Sequence, residues 1–94
     1  MAKLKDNLTV LRDGIDKIDS EIVNLISQRF DLVKKVSLEK SKRKISIIDR
    51  TRESQILTAV AKMANKRGHD EELFKKIFRT IIDCTIKFEK KIYQ

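Results

Sequence analysis

Two long cations stand where apolar side chains are due. Leu8, Leu11, Ile15, Ile18, Ile22, Leu25, Leu32 and Val36 recur at steps of three and four, and Arg29 fills the one gap in that stripe. Lys40 continues it, four residues after Val36. Eleven positions separate the two cations, about 16 Å of rise but only ~20° of rotation on a helix. Leaning toward each other, they could bracket a small dianion. A plainer account is also open, in which the arginine pairs with a carboxylate and the lysine snorkels at a helix end.

The pattern recurs downstream. Asp49, Arg52 and Glu53 are spaced i, i+3, i+4, on the face that carries Ile56 and Val60. On their own they suit a helix N-cap followed by an intrahelical ion pair. Glu89 stands on an inward stripe four residues after Thr85. A carboxylate there either sits at an exposed bundle end or meets a cation. Arg12 lies beside the first stripe, seventeen positions from Arg29, which is ~25 Å along a helix and about 100° around it. The two cannot serve one small-molecule site in the same chain. If both bind the same ligand, a second protomer must supply Arg12.

The elements that carry these residues are helices. The chain has 94 residues, no Pro and only two Gly, Gly14 and Gly68, too few turn formers for the reversals of a sandwich or barrel. Hydrophobic content of 40% beside 38% charged residues suits amphipathic helices and is too apolar for a disordered chain. The periodicity predicts a first helix from Leu4 to about Lys42, then a loop over Ser41–Ser46. A second runs from Ile48 or Asp49 to Lys66, with Gly68 just beyond its end. The third is capped by Asp70, has Glu71 and Glu72 in its first turn, and carries the stripe Leu73, Phe74, Ile77, Phe78, Ile81, Ile82, Thr85, Phe88 and Ile92. The expected fold is all-α, a single domain over residues 1–94.

The first helix poses a problem of size. About 39 residues make a rod of roughly 58 Å, whereas a compact monomer of this length is only about 30 Å across. Either the rod breaks or another chain buries its stripe, and an intertwined homodimer is the preferred expectation.

Other classes fall away. No apolar run is long enough to span a membrane, and the start Met1-Ala2-Lys3-Leu4-Lys5 is unlike a secretory signal. A lone Cys84 and a lone His69 offer neither an internal disulfide nor a metal cluster, so a reduced, cytoplasmic protein is expected. Cys84 reads as a small core residue and His69 as a turn residue. Lys plus Arg is 22 against 14 acidic residues, a net charge of +8 that implies an anionic partner.

Taken in order, Leu11-Arg12-Asp13-Gly14-Ile15-Asp16-Lys17-Ile18-Asp19, Arg29, Lys40 and Asp49-Arg50-Thr51-Arg52-Glu53 resemble the all-helical chorismate mutases. An "LR…ID…(I/L)D" opening, a mid-helix Arg, a Lys eleven residues later and a D-x-x-R-E segment recur there at these intervals. The ordered set, from about Leu8 to Glu89, carries the resemblance rather than any one motif. It implies an intertwined dimer of three-helix chains with two equivalent sites. It implies the substrate chorismate, rearranged to prephenate on the route to phenylalanine and tyrosine. A unimolecular Claisen rearrangement needs no nucleophile, metal or cofactor. Catalysis then lies in holding the enolpyruvyl arm over the ring and stabilising charge on the breaking ether oxygen.

By matched position the resemblance gives Arg29, and Arg12 of the other protomer, the two carboxylates. Lys40 would meet a carboxylate and the ether oxygen. Glu53 and the Asp49 backbone would hold the ring hydroxyl, Arg52 would support the pocket, and Thr85 would stand near a carboxylate. Glu89 takes the place of the second ether-oxygen donor, commonly Gln. A carboxylate cannot donate, so Glu89 must be protonated for that work. Activity is then expected to rise toward acidic pH, and Glu89→Gln to flatten the profile. The position three before Asp49, often Pro, is Ser46, which suggests a looser loop.

Three rivals remain. An isochorismate-pyruvate lyase on the same fold shares the first-helix Arg and Lys but usually lacks the full D-x-x-R-E. The cluster Lys40, Lys42, Arg43, Lys44 could mark a helical nucleic-acid-binding protein, yet no recognition helix is evident and the stripe charges would go unexplained. A purely structural coiled-coil dimer would tolerate Arg29→Leu.

Overall fold

The computed structural model describes residues 6–92, in three helices: α1 (Asn7–Lys42), α2 (Arg50–Lys66) and α3 (Glu71–Ile92). The described residues contain no strand, so the fold is all-α with a long first helix, as the scarcity of Gly and Pro predicts. The predicted start at Leu4 lies outside the described residues. Asp6 caps α1, its carboxylate accepting the Thr9 amide at 2.7 Å, and that bond holds the Asp6 carboxyl below its usual range. No helix among the described residues is long and apolar enough to cross a membrane.

The chain divides inside α1 into two compact units, one ending at Leu32 and the other beginning at Val33. The first unit is a length of helix with its apolar stripe in the open: Leu11 is 66% exposed, Leu25 61% and Leu32 62%. Ile26, Arg29 and Phe30 are half-buried, and Arg12 is exposed.

The second unit holds the end of α1, the loop after it and the α2–α3 hairpin, in which the two helices pack together. Val60 and Ala64 of α2 and Ile82 of α3 are its buried apolar residues. Its buried polar residues are Ser37, Glu53, Thr85 and Glu89. An interior as polar as this stands only if each group finds a partner. Cys84, expected in the core, is instead exposed, one position off the inward stripe of α3.

Local chemistry sets both connections. Asp49 caps α2 by accepting the Arg52 amide at 3.0 Å. At the other end the His69 amide reaches back to Ala64 and the Gly68 amide to Asn65, a Schellman closure with Gly68 at φ 74°, where a side chain would be strained. Asp70 accepts the Glu72 amide at 2.8 Å, Asn65 donates to Glu71 at 2.8 Å, and the rings of His69 and Phe74 stack. The hairpin is thus tied on both sides of its turn.

The end of α1 closes the same way without a glycine. The Ile45 amide bonds to the Lys40 carbonyl and the Lys44 amide to Ser41, which puts Lys44 at φ 53°. That left-handed residue costs roughly 1–2 kcal/mol. The Ser46 hydroxyl then accepts the Ile48 amide at 3.2 Å, so at the position where proline is common a side-chain hydrogen bond braces the loop.

Candidate active site

The turn after α1 sends the chain back past Lys40. The Lys40 ammonium donates to the Ile47 carbonyl at 2.9 Å and to Glu89 Oε2 at 3.4 Å, and its side chain is only 18% exposed. It does not snorkel. An ammonium has three protons, so two contacts leave one to offer a ligand. Glu89 comes from the far end of the chain, near the end of α3, and is 4% exposed. The same Oε2 accepts a second donor, the Ser37 hydroxyl, at 2.9 Å. A cation, a carboxyl and a hydroxyl therefore converge in a place where water is nearly excluded.

One turn before Glu89 on α3, Thr85 is also buried, and its hydroxyl donates to the Ile81 carbonyl at 2.8 Å. This back-bond is an ordinary way for a helical threonine to satisfy itself.

Glu53 makes a second cluster. Its carboxylate is buried, and Oε1 accepts from Arg79 at 2.7 Å and from Arg50 at 2.9 Å. The Arg79 hydrogen bond, with Arg50 adding to it, holds the Glu53 carboxyl below the usual carboxylate range against the opposing pull of desolvation. Asp49 and Arg52 stand exposed at the start of α2. Asp49 is the N-cap that its spacing predicts, whereas the ion pair runs from Glu53 to Arg50 and Arg79 rather than to Arg52.

Of the residues singled out by sequence, Lys40 and Glu89 meet directly. Glu53, Asp49, Arg52 and Thr85 belong to the same unit, and Arg12 and Arg29 to the other. The type II chorismate mutase family matches residues 11–90, a span that takes in all eight. The chain belongs to that family.

Among its relatives is the chorismate mutase of Methanocaldococcus jannaschii, 33% identical over 86 residues, which cover 92% of this chain and 87% of that protein. Bifunctional chorismate mutase/prephenate dehydratases of Aquifex aeolicus and Buchnera aphidicola are 34% and 30% identical over 91 and 87 residues. Those alignments cover 93% of this chain but only 25% and 23% of the relatives, so the chain spans about a quarter of the bifunctional proteins.

Two participants in this type II chain, Ser37 and Arg79, escape a reading by sequence. Ser37 had a signal available, since it lies three residues before Lys40 on one helix face. Arg79 had none, because its partner is 26 residues away and the pair depends on how α2 and α3 align.

Arg79→Gln has a predictable signature in stability. A carboxyl held low in the folded state contributes stability that is fully present above its unfolded pKa and is lost as pH falls through the folded one. Urea midpoints of the variant should therefore lie below those of the parent at about pH 7, and the gap should close toward about pH 3. Arg79 is partly exposed and Arg50 remains, so the effect is modest. A gap independent of pH would mean that Arg79 acts by packing alone.

Proposed function

We propose that this chain catalyses the rearrangement of chorismate to prephenate, and that two copies assemble to do so. The observation that carries the reading is the buried meeting of Lys40, Glu89 and Ser37 in a member of the type II family. The reaction breaks one C–O bond and forms one C–C bond within a single molecule, so its electrons balance without a co-reactant. What the protein must supply is a compact conformation and donors aimed at the oxygen on which negative charge grows.

Each residue has a part in this reading. Lys40 points its remaining N–H at the ether oxygen or at the neighbouring carboxylate as a hydrogen-bond donor. Protonated Glu89 donates to the ether oxygen. Arg29 holds one carboxylate and Arg12 of the second copy the other, while Thr85 lines the carboxylate end. Glu53 and the Asp49 backbone hold the ring hydroxyl, and Arg52 supports that end of the pocket. Arg79 and Arg50 favour the ionised form of Glu53, in which both oxygens only accept, as a hydroxyl donor needs.

The second copy answers the exposed stripe. Leu8 through Val36 present an apolar line to solvent along α1, far more than scattered surface residues warrant. On a helical wheel Arg29 and Lys40 fall between that line and the half-buried face of Ile26, Phe30 and Val33. Cations at such a border can reach a ligand lodged between two chains.

Incubation with chorismate, following its loss and the appearance of prephenate, tests the reading directly. Isochorismate in a parallel reaction tests lyase chemistry. Turnover of isochorismate to salicylate and pyruvate with chorismate left intact would overturn the proposal.

A further inference from the structure

We propose that Ser37 is a positioning residue that decides which oxygen of Glu89 faces the substrate. A serine inside a helix ordinarily turns outward or bonds back to the preceding turn. Ser37 is 3% exposed and donates instead across to α3, to a carboxyl 52 positions away in sequence. Its bond to Oε2, at 2.9 Å, is shorter than that from Lys40 at 3.4 Å, and the Lys40 ammonium is itself closer to the Ile47 carbonyl.

The terminal torsion of a glutamate is broad and nearly two-fold, so its two oxygens exchange places readily. Two donors on Oε2 remove that equivalence. Oε1 is left as the oxygen that carries the proton of the neutral acid and presents it outward. The same lock would act on a glutamine at this position. Its amide oxygen would take the place of Oε2 beside Ser37 and Lys40, and its NH₂ group would point where the acid proton points. Ser37 thus orients a donor of either type. This inference rests on the reading of Glu89 as donor to the ether oxygen.

The test uses Ser37→Ala and Ser37→Thr in the parent chain and Ser37→Ala in a Glu89→Gln background, all assayed with chorismate. Alanine is a better helix former than serine and leaves Lys40 on Glu89, so folding is not threatened; thermal unfolding checks this. Loss of orientation should lower kcat about tenfold while KM stays within about twofold. The same kcat loss is expected in the Glu89→Gln background, and Ser37→Thr, which keeps the hydroxyl, should recover most of the rate. Parent activity in Ser37→Ala, or a change confined to KM, would overturn the inference while leaving the mutase reading intact. A parent chain that turns over no chorismate would overturn both.

Discussion

Chains carrying Arg12→Ala and chains carrying Arg29→Ala should each be nearly inactive, and mixing them should restore activity. The two arginines lie seventeen positions apart on α1, about 25 Å along the axis, too far for both to grip one small dicarboxylate. If both do so, they come from different copies. Removing either leaves a carboxylate without its charged donor, which is expected to lower kcat/KM roughly 100-fold. In a mixed dimer the Arg29 of one chain and the Arg12 of the other are both intact at one site, and both missing at the second. Random exchange makes about half of the dimers mixed, each with one working site, so the mixture should recover about a quarter of parental activity. Arg12 is exposed and Arg29 half-buried, so neither change removes much packing, and size-exclusion chromatography checks that the variants still assemble. A mixture no more active than the average of its parents, after subunit exchange is demonstrated, would place both arginines in one chain's site or outside it.

How far the sequence could be followed varies with the distance over which each feature is decided. Helix ends are local. Asp49, Asp70 and Gly68 cap or close helices where their residue types require it, within one residue of the predicted boundaries. Lys44 is the exception, since nothing in its side chain asks for a left-handed backbone and only the closure of α1 explains it. The Lys40–Glu89 pair was visible as two charges out of place, one on each of two apolar stripes, though only packing could say that they meet.

Burial proved harder to read. The long stripe from Leu8 to Val36 has the regularity of a core, yet within the chain it is exposed. The face that turns inward on the second unit is the one bearing Val33, Ser37 and Lys40. Periodicity finds apolar lines and cannot tell which of two neighbours each line covers. It also passes over a buried serine: Ser37 shares a helix face with Lys40, but its burial depends on Glu89 being set against it. Arg79 was hidden for a related reason: in a chain so rich in cations many others could have met Glu53, and only the alignment of α2 with α3 selects this one.

Replacing Glu89 by Gln should make the enzyme's rate independent of pH over the range in which the parent loses activity. The ether oxygen of the substrate is an acceptor. Facing it, an ionised carboxylate offers only lone pairs, and near a developing negative charge the two repel. A parent that donates through Glu89 needs the neutral acid, so its kcat/KM should be highest on the acidic side and fall as that proton is lost. The amide of glutamine donates without titrating. Toward alkaline pH the variant should overtake the parent and continue to gain on it, while at the acidic end the two should lie close together. The geometry allows the exchange without rearrangement, because Ser37 and Lys40 meet a single oxygen, a role that the amide oxygen can fill. Any slope shared by the two enzymes belongs to other groups, and the difference between their profiles isolates Glu89. Superimposable profiles would mean that the carboxyl of Glu89 donates no hydrogen bond at the breaking bond, leaving Lys40 as the donor there.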